Sequence, residues 1–91
     1  MFIPLRRKYF EQFLAGTKRI EYRLHGPRWN ERTAWIGRPV TLSLGYSGAR
    51  LSARVVAFAV VQGSTLADPE PYSSDDMLAA IELDLVAPIE R

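Results

Sequence analysis

The sequence predicts an α+β domain that is mainly β: a five- to six-stranded mixed sheet bent into a pseudobarrel, with one N-terminal α-helix and short helical turns. Three observations predict it. Only one stretch carries apolar residues at helical spacing, through Tyr9, Phe10, Phe13 and Leu14. Most of the remainder reads in period two, between breaks rich in glycine, proline and serine. One of these segments, Arg50 to Val61, opens by alternation and ends as the unbroken apolar run Val55 to Val61. That is the pattern of a strand covered on both faces or bent by a bulge. A long strand that begins polar and ends buried suits a small barrel, with the helix over one opening.

Composition narrows the classes. A chain of 91 residues fits one small domain spanning 1–91. It has no cysteine and one histidine, which leaves no disulfide and no ordinary zinc site; no metal and no cofactor are expected. No apolar run approaches the ~20 residues of a membrane span, and the start, MFIPLRRKYF, is not a signal peptide. The expectation is a cytoplasmic protein with no membrane partner. Net charge is +2, but it is unevenly spread. Residues 1–54 hold 11 of the 12 Lys and Arg against three acids, and residues 55–91 hold seven acids against Arg91. Either the two halves pair inside the fold, or one face is positive and attracts phosphates.

Phe2 to Leu5 reads as a first strand, confined by Pro4 to an edge or to the approach to the helix. The helix covers about residues 6–15. Arg6, Arg7 and Lys8 stand at its start, where the helix dipole disfavours cations; solvation or phosphate contact accounts for them. Gly16 ends the helix, since glycine accepts the positive φ of a C-terminal cap. The period then becomes two over 18–24. Lys18, Ile20, Tyr22 and Leu24 fall on one face, with Ile20 and Tyr22 toward the core. Arg19, Glu21, Arg23 and His25 fall on the other.

Gly26-Pro27 marks a turn, and Pro27 suits the first position of a short helix over 28–34. Trp29 and Trp35 read as lids on a small core. Trp29, flanked by Arg28 and Arg32, is also the better candidate for stacking on a base. Val40 to Leu44 is a strand, Gly45 to Gly48 a hairpin turn, and Arg50 to Val61 the return strand. Gln62 to Asp76 is a long loop. Pro69 and Pro71 exclude a long helix from it. Ser64 and Thr65 suit a cap on one short helical turn, and Ser74, Asp75 and Asp76 on another. Ala79 to Val86 alternates as a final strand, ended by Pro88.

Chemistry concentrates just after Gly16, where Lys18, Glu21 and Arg23 lie within seven residues of the glycine. They read either as a solvated strand face with ion pairs or as a basic recess. In the recess, Lys18 and Arg23 hold an anion or nucleotide, and Glu21 handles protons or orients the cations. Lys18 and Glu21 are three apart, so on an ideal strand they face opposite sides. They meet only if the chain twists or bulges just after Gly16. Glu21 and Arg23 share a face without that condition. A desolvated lysine can also serve as base or nucleophile. A serine nucleophile at Ser47 or Ser64 is set aside, because no glycine elbow surrounds either and His25 is the only histidine.

The segment KYFEQFLAGTKRIEYR resembles the signature of the ASCH domains, a branch of the PUA-like superfamily. That signature joins a lysine-aromatic-phenylalanine helix start, a G-x-K turn and an E-x-R strand. Lys8, Tyr9 and Phe10, then Gly16 and Lys18, then Glu21 and Arg23 match it in turn. Trp35 to Leu44 resembles the next element of the family, although Arg38 stands where an acid usually follows the glycine. The resemblance implies a PUA-like pseudobarrel whose mouth, next to the G-x-K turn, binds RNA or a modified nucleoside or nucleotide. Lys18, Glu21, Arg23 and loop aromatics would line that mouth, with Arg6, Arg28, Trp29 and Tyr46 as further ligand-binding candidates.

Some small ASCH relatives are amidohydrolases that remove the acetyl group from acetylated cytidine, and others are reported as ribonucleases. In the amidohydrolase type the lysine corresponds to Lys18, and a threonine stands where this chain has Glu21. A distant glutamate also serves there. No motif places that glutamate; Glu70, in the loop 62–76, is the candidate because it lies in the right general loop.

Overall fold

The structure is a computed structural model and describes residues 1–67 and 71–86. Its elements are β1 (Phe2–Leu5), α1 (Arg7–Ala15), β2 (Ile20–Leu24), β3 (Pro39–Leu44), β4 (Arg50–Gln62), a 3₁₀ turn at Gly63–Thr65 and β5 (Met77–Leu85). The five strands form one mixed sheet in the order β1-β3-β4-β5-β2, curled into a half-barrel. Only β1 and β3 run parallel; the other pairings are antiparallel. The expected mainly-β pseudobarrel with one helix is the architecture observed.

Helix α1 ends as its sequence requires. Gly16 takes φ +79°, and the N–H groups of Thr17 and Lys18 both donate to the Gln12 carbonyl. Phe10 and Phe13 are the buried residues of α1. They pack on Ile3, Leu5, Val40, Leu42, Ala53, Val55, Ala79, Ile81 and Leu83 from the inner face of the sheet. Strand β4 is long enough to serve two neighbours in succession. Its first part, Arg50–Arg54, pairs with β3, and it pairs with β5 from Ala53 to Gln62. Register shifts between Val55 and Ala57, so Val56 is the extra residue of a bulge that bends the strand.

Three expectations are corrected. The segment 25–35 forms turns rather than a helix over 28–34. The Asn30 side chain explains this: its Nδ2 donates to the Gly26 carbonyl at 2.8 Å, and its Oδ1 accepts from the N–H of Arg32 and of Thr33. Such local side-chain bonds compete with the helical ladder. Strand β2 begins at Ile20 rather than Lys18, because the helix cap holds the chain through Lys18. The inner face of β2 carries Glu21 and Arg23, not Ile20 and Tyr22. Glu21 lies opposite Ile81 and Arg23 opposite Ala79, both core residues, and residues directly opposite share a face. No helix among the described residues is long and apolar enough to cross a membrane.

Candidate functional site

The half-barrel leaves its two edge strands, β1 and β2, facing each other across a seam. A cleft of about 310 Å³ lies there. β1 and the start of α1 supply Pro4, Leu5, Arg6 and Tyr9; the G-x-K turn and β2 supply Lys18, Glu21, Tyr22 and Arg23; the loop after β4 supplies Leu66, Pro71 and Tyr72. The volume is at the small end of the range for ligand sites.

Glu21 is the centre of its polar groups, with 5 % of its surface exposed. Its Oε1 lies 3.5 Å from Lys18 Nζ, and its Oε2 accepts a hydrogen bond from Arg23 Nη1. Lys18 and Glu21 therefore do meet. Lys18 stands before the ladder begins, so the alternation of a strand does not apply to it. Its ammonium also lies 5.3 Å from the Tyr9 ring centroid and 5.6 Å from those of Phe13 and Tyr22. One face of the cation is thus held by aromatic rings and another by the carboxylate. Arg23 donates in addition to the carbonyls of Pro4 at 3.0 Å and Tyr22 at 3.2 Å.

With Arg6 at the rim, three cations face one carboxylate. The cleft is positive, and most of its charge sits on partly desolvated groups. Its aromatic wall is Tyr9, Tyr22 and Tyr72. The Tyr72 hydroxyl donates to the Tyr22 carbonyl at 3.2 Å, pinning the loop to the outer edge of β2.

A scan against protein-family models finds no match, and a search of curated proteins finds none either.

Of the residues singled out in the sequence, Arg6, Lys18, Glu21 and Arg23 come together in the cleft. Trp29 does not line it. It is partly buried against the core, between the guanidinium groups of Arg23 and Arg28 at 5.4 and 5.3 Å from its ring. Tyr46 stands at the β3–β4 turn, stacked on Phe2 and 79 % exposed, away from the cleft. Glu70 lies outside the described residues. Tyr72 and Leu66 escaped notice in the sequence. The only signal for Tyr72 was its place in a proline-flanked loop too long to be a plain connection.

Proposed function

We propose that the cleft binds a single nucleotide unit, as a modified nucleoside or nucleotide or as one residue of single-stranded RNA. The observation that carries this reading is the pairing of a partly desolvated cationic cluster, Lys18 and Arg23 around Glu21, with the tyrosine wall in one nucleoside-sized space. A base has a π-face for the rings and polar edges for Lys18 and Glu21, and Arg6 at the rim meets a phosphate. The similarity of residues 8–23 to the ASCH signature supports the same ligand class.

Calorimetric titration with nucleoside monophosphates and short RNA tests the reading. Binding is expected to weaken with rising salt. It falls more than about tenfold on Lys18→Met and a few-fold on Arg6→Ala, the range expected for charge-assisted contacts. Absence of binding up to about 1 mM overturns it.

A second reading is favoured by the Lys18–Glu21 contact: amide hydrolysis of an acetylated cytidine. Glu21 would take a proton from the attacking water, and the Lys18 ammonium would stabilise the developing oxyanion and protonate the leaving amine. Turnover by wild type that is lost in Lys18→Met decides for it, and binding without turnover decides against it.

A further inference from the structure

We propose that the outer edge of β4 from Ala57 to Gln62 pairs antiparallel with the same edge of a second copy of this chain, joining the two half-barrels into one continuous sheet. β3 covers β4 only over Arg50–Arg54. At Val55 the outer edge is closed by main chain: Gly37 N–H donates to the Val55 carbonyl at 2.7 Å, and Val55 N–H to the Arg38 carbonyl at 3.0 Å. The covering segment then turns away through Gly37, at φ +93°. Beyond that point β4 is bonded to β5 on one side. Among the described residues no main-chain group bonds its other side.

Edges of this kind are normally protected by charge, proline or a covering element. Here Val56-Ala57-Phe58-Ala59-Val60-Val61 holds neither charge nor proline. The difference from the neighbouring strand is plain. Val56 and Val60 are 37 % and 41 % exposed, whereas Leu78 to Ile81 of β5 are 9 % or less. The edge also lies apart from the cleft, none of whose walls comes from β4.

A row of open backbone donors and acceptors takes an extended strand. An identical strand suits this row in particular. In a twofold antiparallel pair, a charged residue would lie near its own symmetry mate, and this segment has none. The geometry also fixes the register. The ladder is bounded below by Gly37 and Arg38, and above by Gly63, where the chain turns out of the strand. A twofold axis of an antiparallel pair passes between a residue and its own mate, and the outward-facing groups of Phe58, Val60 and Gln62 centre it on Val60. That axis sets Phe58 opposite Gln62, Ala59 opposite Val61 and Val60 opposite its own mate, so that the open groups of Phe58, Val60 and Gln62 bond one another. The partner chain then leaves the ladder at its Gly63, opposite Ala57 and short of Val55 where Gly37 enters, so the two do not collide. Trp35 and Ile36, 50 % and 61 % exposed, flank that exit and extend the apolar contact.

The test is sedimentation equilibrium of the full chain up to about 1 mM, the weak end of specific association. Wild type is compared with Ala59→Lys, with hydrogen exchange followed at Ala57–Gln62. The expected result is a wild-type mass that climbs from 10.3 kDa to twice that value, and an Ala59→Lys variant that stays monomeric with an unchanged circular dichroism spectrum. Amides on the outer edge should slow at least about tenfold with concentration. A wild type that stays monomeric overturns the proposal and leaves the edge to a different chain. A dimer that survives Ala59→Lys, or exchange at 57–62 that ignores concentration, overturns it by placing the interface elsewhere. If Ala59→Lys does not fold, the wild-type exchange data decide alone.

Discussion

Arg23 on β2 donates from Nη2 to the Pro4 carbonyl on β1 at 3.0 Å, so one guanidinium spans the seam that backbone hydrogen bonds leave open. The same group holds the buried Glu21 carboxylate through Nη1. Seam closure and site assembly therefore depend on one side chain.

Arg23→Ala is expected to destabilise the fold by about 2–4 kcal/mol, because it leaves Glu21 buried with half its partners and the Pro4 carbonyl without its donor. Arg23→Lys should recover only part of this, since an ammonium cannot reproduce the fork. Urea unfolding checks both. A loss for Arg23→Ala within the range of ordinary surface substitutions would show that the seam holds without it.

Ser43 gives the opposite case. It is fully buried on β3, and its hydroxyl has no partner among the described residues. Ser43→Ala removes an unsatisfied polar atom, so stability should stay level or rise by up to about 1 kcal/mol. A loss above about 1 kcal/mol in the same urea assay would reveal a hydrogen bond to this hydroxyl.

Gly63 lets the loop after β4 lie close to itself. A Cβ there would sit 2.2 Å from the Ser73 carbonyl oxygen, which is backbone. Gly63→Ala must therefore push the loop outward and carry Tyr72 from the cleft wall. Ligand affinity is expected to fall about tenfold or more while the sheet persists. Titration alongside circular dichroism separates these effects, and unchanged affinity would show that Tyr72 contributes nothing.

Glu31 titrates below its ordinary value of 4.5, held there first by its own backbone N–H and then by His25, whose Nε2 lies 3.6 Å from its Oε2. A carboxyl depressed in the folded state stabilises the fold above its unfolded pKa. It loses that contribution as pH falls through the folded one. Because Glu31 is exposed, the effect on stability is slight, but its midpoint is measurable by NMR. His25→Ala should move the midpoint toward 4.5; an unmoved midpoint would leave the backbone N–H and the nearby Arg32 charge as the causes.

The strands, the helix and the Gly16 cap were legible because hydrophobic period and a single glycine specify them locally. The break in alternation of β4 left open a bulge or cover on both faces; the strand has the bulge, at Val56, and its apolar end beyond Val55 is exposed or half-buried rather than buried. What escaped the sequence depended on contacts between distant segments. Alternation alone gives two faces of β2 but not which is inner; the buried Glu21 reverses the hydrophobic choice because Lys18 and Arg23 satisfy it. The turns at 25–35 rest on one asparagine side chain. Tyr72 enters the cleft only because Gly63 folds its loop back on β2. Trp29 and Tyr46 carry the composition of stacking residues, yet Trp29 packs on the core and Tyr46 sits on the hairpin.

The strand order also bears on the timing of folding. β3 and β4 are joined by a tight turn and can pair early, whereas β2 must cross most of the chain to reach β5, with Leu24 beside Leu78. Pairings of such long sequence separation close late, since the loop entropy is lost before the contacts form. Glu21 and Arg23 of the cleft ride on that last strand, and Lys18 stands just before it. Chemical competence should therefore be the final property this chain acquires as it folds and the first it loses as it unfolds.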